Sequence, residues 1–279
     1  MRFVWQLLAV VLMSMAGNQA VAVLDGHPWL QLAAGLMVSV AAVFVYGWVV
    51  RRTEHRPPTE VARAGAVPAF GRGLLIGFVL FGAVITNIFV NARYEVDGLG
   101  SPAGAVGLFG FMAAAAVMEE LLFRGVLFRI TEERFGTWIA MALTAVLFGA
   151  AHLLNPNASL WGATAIAVEA GGMLAAAYVA TRTLWLPIGL HFGWNFAAAG
   201  VFSTEVSGND TAQGLLDATV SGPELITGGE FGPEGSVYAV LFGVLATVVF
   251  LWLARRRGRL VPLRGRAGRV AAAPTTLPR

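Results

Sequence analysis

Eight long apolar runs dominate this chain and decide what it can fold into. They lie at about residues 3–23, 30–50, 73–92, 106–130, 137–154, 160–180, 184–202 and 236–254. Each is close to the roughly 20 residues that a helix needs to cross a hydrocarbon core about 30 Å thick. Hydrophobic residues make up 57% of the sequence and charged residues only 13%, far from the soluble norm. A backbone in lipid must satisfy its own hydrogen bonds, so the expected fold class is all-α, a polytopic bundle of about eight transmembrane helices. No internal repeat and no soluble domain is evident.

The basic residues give the expected topology. All nineteen are arginines, and most fall in every second connection. Arg2 precedes the first run. Arg51, Arg52, Arg56, Arg63 and Arg72 lie between the second and third, Arg129 and Arg134 after the fourth, and Arg182 before the seventh. Residues 255–279 form an Arg-rich tail, expected to be disordered. The other connections hold Arg93 alone, and the 203–235 loop carries Glu205, Asp210, Asp217, Glu224, Glu230 and Glu234 with no basic residue. The positive-inside rule then puts both termini in the cytoplasm. The excess of arginine reads as topology signal and headgroup anchor, with no nucleic-acid partner. Residues 51–72, with Pro57, Pro58 and Pro68, are expected to form a cytoplasmic linker. Residues 1–22 also resemble a signal peptide, through Arg2, an apolar core and Ala20-Val21-Ala22, but an uncleaved first helix is the simpler reading.

Within the runs, ionisable side chains are few: Glu119, Glu120, Arg124, His152, Glu169 and His191, with Asn195 as a further strong polar group. Such residues cost several kcal/mol each in a membrane unless paired or facing a wet cavity. At about 1.5 Å per residue they all fall in the central band of the membrane. Glu120 and Arg124 are four apart and share a helix face, as do His191 and Asn195, while Glu119 points about 100° away from Glu120. A desolvated carboxylate suits a general base, and an imidazole beside an amide makes a plausible oxyanion hole. A transporter or proton-coupled channel would also keep such charges at mid-membrane, though usually with repeated halves. A catalytically inactive immunity or binding protein is a further alternative. No cysteine is present, which excludes disulfides, thiolate nucleophiles and cysteine-ligated metals.

Three motifs, in order, resemble the CAAX-protease and bacteriocin-processing (Abi) family of intramembrane proteases. They are Glu119-Glu120-Leu121-Leu122-Phe123-Arg124, Phe148-Gly149-Ala150-Ala151-His152 and His191-Phe192-Gly193-Trp194-Asn195. The resemblance covers about 103–202 and implies peptide-bond hydrolysis in a membrane-associated protein or peptide. By that resemblance Glu119 and His152 activate water, His191 and Asn195 stabilise the oxyanion, and Glu120 and Arg124 support the site. Glu169 lies outside the motifs, as a further acid, a ligand, an orienter or a partner of Arg124. If a zinc ion is held, Glu119, His152 and His191 are its candidate ligands. The absence of H-E-x-x-H, and the poor match of Asn195 to zinc, favour a metal-free, glutamate-dependent site.

The expected organisation is helices one to three over 1–102, the catalytic core over 103–202, the acidic loop 203–235, a last helix over 236–254 and the tail 255–279. Nineteen arginines without a lysine point to a bacterial source and its plasma membrane.

Overall fold

A computed structural model describes residues 1–263. The apolar runs are helices: α1 (Arg2–Ala22), α2 (Pro28–Glu54), α3 (Ala66–Asn91), α4 (Pro102–Phe135), α5 (Thr137–Leu154), α6 (Leu160–Thr181) and α8 (Val237–Arg256). These seven are long and apolar enough to cross a membrane. The run at 184–202 is also helical, as α7 (Trp185–Asn195) continuing into a π-helical turn Phe196–Val201. It is shorter than the others, so seven helices meet the length of a span where eight were expected. The chain is an all-α, multi-pass membrane protein.

Local chemistry sets the helix ends. Ser101, Ser159 and Ser236 each cap a helix by accepting a hydrogen bond from the backbone N–H three residues on. Pro28 and Pro102 occupy first-turn positions where a missing N–H does no harm. Gly136, at φ +80°, makes the reversal between α4 and α5. Lipid-facing surfaces are apolar, as with Trp5, Leu8 and Leu12 on α1 and Val244, Val248 and Trp252 on α8. The apolar stretch of α6 is 78% buried against 22% for those of α1 and α8, so α6 runs through the middle of the bundle.

Several expectations need correction. The connection between α2 and α3 is far shorter than 51–72, because both helices extend into it. Its short 3-10 turn Thr59–Val61 buries Glu60. The 203–235 loop is not only loop. Its strand β2 (Leu216–Ser221) pairs antiparallel with β1 (Arg93–Leu99), Arg93 opposite Ser221 and Leu99 opposite Leu216, with an irregularity between Val96 and Gly98. The tail is helical through Arg256, and Arg257 and Arg259 then donate to the Ala180 carbonyl. The rest of the expected disordered tail, 264–279, lies outside the described residues.

The two ends of the bundle differ sharply. At the arginine-rich end, Glu54 accepts from Gln6, Arg56 and Arg129 at 2.9, 2.6 and 2.8 Å, joining α1, α2 and α4. Glu132 accepts from Thr137 at 2.6 Å and from Arg182. Burial would push the Glu60 carboxyl up, but hydrogen bonds from Arg56 and Tyr46 hold it below the ordinary carboxylate value.

Small residues make the seam that positions α7. A Cβ on Gly73 or Gly77 of α3 would lie 2.2 Å from the Leu186 carbonyl oxygen or 2.1 Å from that of Leu190. One on Gly189 or Gly193 of α7 would lie 2.2 Å from the Phe70 carbonyl oxygen or 2.3 Å from that of Leu74. Two Gly-x-x-x-Gly pairs therefore bring the backbones together, as in close-packed membrane helices. His191 sits between the two glycines of α7, so this seam fixes its height and rotation. Gly193→Ala should destabilise the protein by about 1–3 kcal/mol through overpacking. Gly82→Ala on α3, where a Cβ meets nothing within 4 Å, should be neutral within about 0.5 kcal/mol. Thermal unfolding in detergent compares the two, and equal stability would show that the seam is not tight.

Candidate active site

Three polar residues of the motifs line one cavity of about 710 Å³: Glu119 from α4, His152 from the end of α5 and Asn195 from α7. Met15, Leu108 and Phe111 contribute apolar wall. Glu119 is a third exposed at its side chain, into this space. Asn195 is only 8% exposed, and its amide makes no hydrogen bond to another side chain or backbone group among the described residues. A buried amide with free donors facing a cavity is available to a ligand.

His191 stands at the inner wall. Its Nε2 lies 3.9 Å from Glu119 Oε2, and its Nδ1 lies 3.0 Å from Glu120 Oε1. A carboxylate only accepts, so Nδ1 carries the proton and donates to Glu120. The His152 Nδ1–H donates to the Phe148 carbonyl at 2.7 Å by the same reasoning, which leaves Nε2 to face the cavity. The first and last residues of the Phe148–His152 motif are thus tied through the backbone of a single helical turn.

Glu120 and Arg124 form the buried pair expected from their spacing. Arg124 Nη1 donates to Glu120 Oε1 at 2.8 Å, and both residues are at most 1% exposed. Arg124 Nη2 donates to the Ala170 and Gly171 carbonyls at 3.0 and 3.3 Å. Its guanidinium stacks over Phe148 at 4.8 Å from the ring centroid. One arginine therefore ties α4 to α5 and α6.

The backbone around these residues departs from regular α-helix. Leu121–Phe128, Ala167–Gly171 and Phe196–Val201 are π-helical, and each begins next to or contains a polar residue of this group. Wide turns of this kind recur at functional sites. The widened turn in α6 supplies the two carbonyls that Arg124 uses. Glu169 lies in that same turn, fully buried, with no hydrogen-bond partner among the described residues. It neither lines the cavity nor pairs with Arg124; its neighbour is Gly243 of α8, where a Cβ would meet its own at 2.6 Å.

Sequence reasoning missed Glu234. This residue of the acidic loop is 2% exposed and accepts from the Trp194 indole at 2.9 Å and the Ser207 hydroxyl at 2.6 Å. Burial pushes its carboxyl above the ordinary value, while the Ser207 and Trp194 hydrogen bonds and the charge of the nearby His152 and His191 pull the other way. Ser207 lines the cavity and its carbonyl accepts from Asn155 at 2.7 Å. The loop is therefore folded over the cavity and fastened from below. Its composition gave no sign of which of its acids turns inward.

The candidate zinc ligands do not converge. Among the described residues no three His, Asp or Glu side chains are arranged to hold a metal ion. Of the proposed set, His191 Nδ1 donates to Glu120, and its Nε2 lies 3.9 Å from Glu119.

Residues 101–197 match a family model described as Rce1-like, type II CAAX prenyl endopeptidase. The matched segment holds all three motifs, so the likeness to that family covers the part of the chain that carries the candidate site. No curated protein and no solved structure matches the chain.

The buried pair yields a stability prediction. Arg124→Ala should leave the Glu120 carboxylate unneutralised and cost about 3–5 kcal/mol. Adding Glu120→Gln should restore much of that stability. Thermal unfolding and yield in detergent measure both, and an Arg124→Ala protein as stable as wild type would contradict the assignment.

Proposed function

We propose that this chain is an endopeptidase that hydrolyses a peptide bond of a membrane-associated protein or peptide, with water activated by Glu119. The observation that carries the reading is the grouping of Glu119, His152 and Asn195 around one cavity, with His191 behind Glu119. The setting is the lipid bilayer, and the arginine-only basic composition favours the plasma membrane of a bacterium.

Each residue has a task that its contacts support. Water in the cavity hydrogen-bonds to Glu119 and to Nε2 of His152. Its oxygen attacks the scissile carbonyl carbon while Glu119 takes its proton. Charge moves to the carbonyl oxygen, where the Asn195 amide and Nε2–H of His191 stabilise it. Glu119, Glu120 and Arg124 leave one negative charge to balance, and an imidazolium at His191 makes the group neutral. The C–N bond then breaks, and Glu119 passes its proton to the leaving amine. Oxygen from water ends in the new carboxyl group, and no covalent enzyme intermediate forms. Glu120 and Arg124 hold His191 and are not themselves in the cavity.

We propose further that the enzyme works without a bound metal, because among the described residues no three His, Asp or Glu side chains come together to hold one. The purified protein should then carry well under one zinc per chain by elemental analysis, and chelators should not silence it. Stoichiometric zinc, with activity lost on removal and regained on addition, would overturn that mechanism.

The test of the reaction is cleavage of a membrane-tethered reporter peptide by protein reconstituted in lipid. Glu119→Gln should abolish turnover while the protein stays folded. Asn195→Ala should lose about 10²–10³ in rate, as expected for one oxyanion donor. Wild-type rates from Glu119→Gln would eliminate Glu119 as the base.

A further inference from the structure

The residues that line the cavity lie toward one end of the bundle, and that end is not the arginine-rich one. The cavity rim is built from Asn18, Gln19 and Asp25 near the α1–α2 turn, Asn155 after α5, and the 206–212 stretch of the acidic loop. The opposite end carries Arg2, Arg56, Arg129 and Arg182 in the network around Glu54, Glu60 and Glu132. Arginine-rich connections stay in the cytoplasm, so the mouth faces away from it.

The mouth also has a sign. Asp25, Asp210 and Glu119 line the cavity, and no arginine does. The only side-chain partner of Asp210 among the described residues is the neutral Asn157 amide, at 2.7 Å, so its charge is uncompensated. Around it the same end presents Glu95, Asp97, Asp217, Glu224 and Glu230, with Arg93 paired to Glu95 at 3.1 Å. A concave site with walls of low dielectric focuses such a field and concentrates cations. Inside the cavity, Asn195 is only 8% exposed, and its amide has no hydrogen-bond partner among the described residues.

We infer that this enzyme acts on the non-cytoplasmic side of its membrane, on a membrane-tethered chain that carries a basic residue on the stretch that passes the cavity rim. The inference rests on the peptidase reading for the word substrate, but the direction and charge of the cavity stand apart from it. Asp25 and Asp210 would meet the basic residue at the rim. The apolar wall of Leu108, Phe111 and Met112 would take the part of the substrate that lies in the membrane.

The chain has no cysteine, so single-cysteine variants report accessibility without background. Ala115→Cys lies on the cavity wall, Ala212→Cys on its rim, and Ala64→Cys is exposed at the arginine-rich end. Each is treated with two membrane-impermeant methanethiosulfonates, one cationic and one anionic, in right-side-out and in inverted vesicles at low salt. Rates are divided by those of each reagent with free cysteine. Ala115→Cys and Ala212→Cys should react in right-side-out vesicles and Ala64→Cys in inverted ones. At both cavity positions the cationic reagent should be favoured about tenfold, and Asp25→Asn with Asp210→Asn should remove the preference. Should Ala115→Cys fail to fold, Ala212→Cys carries both readings. Labelling of the cavity from the inverted side, or with Ala64→Cys on the same side, overturns the sidedness. Equal corrected rates overturn the basic-residue preference. Neither result bears on peptidase activity, and an inactive protein with the predicted labelling would refute the peptidase reading alone.

Discussion

A single carboxylate oxygen, Oε1 of Glu120, accepts from both Arg124 and His191, at 2.8 and 3.0 Å, in a place that solvent does not reach. Two charges buried this deeply are tolerable only when they are paired and further hydrogen-bonded, and losing one leaves the other at a cost of several kcal/mol. That condition fixes a good deal of the structure. Arg124 needs more acceptors than Glu120 supplies, and the widened turn of α6 provides them in the Ala170 and Gly171 carbonyls. Its flat face needs cover, and Phe148 of α5 provides that. His191 is then held by Nδ1, which aims Nε2 toward Glu119.

Packing completes what the ion pair begins. The glycine seam between α3 and α7 lets backbones meet where side chains would hold them apart, and it sets where His191 and Asn195 stand. At the far end, the network around Glu54, Glu60 and Glu132 ties α1, α2, α4 and α6 together without touching the cavity. On the near side the acidic loop is pinned by the β1–β2 ribbon, by Tyr94 donating to the Phe202 carbonyl at 2.9 Å, and by Glu234. Burial pushes the Tyr94 hydroxyl up to about 12, so it remains a donor through the neutral range. One end of the bundle is laced by ion pairs; the other holds the acid-lined cavity.

Much of this was legible in the sequence because membrane folding leaves few alternatives. Run length gave the helices to within a few residues, except where α2 and α3 run on into the connection read as a linker. Spacing gave the Glu120–Arg124 pair, since four residues on a helix share a face. Rotation by one residue explains why Glu119 looks into the cavity while Glu120 does not. What stayed hidden depends on contacts between distant segments. Nothing local distinguishes Glu234 from the five other acids of its loop, or shows that 93–99 and 216–221 form a ribbon. π-helical turns follow from how neighbouring helices fit, and helical periodicity cannot report them. Glu169 matched the site in estimated depth but faces α8, because depth along a helix does not fix direction around it. The Gly-x-x-x-Gly pairs at 73–77 and 189–193 were readable and are the signal that would have placed α3 against α7.

The measurement closest to the central claim is the steady-state kinetics of Glu120→Gln beside wild type, on one membrane-tethered reporter in lipid. Glutamine keeps the size of the side chain and removes the charge that orients and balances His191. If Glu120 organises the site from behind, kcat per folded molecule should fall by about 10² or more with KM little changed, beside the loss of stability expected when Arg124 loses its carboxylate. A Glu120→Gln enzyme that turns over at the wild-type rate would show that the buried carboxylate does not govern the chemistry.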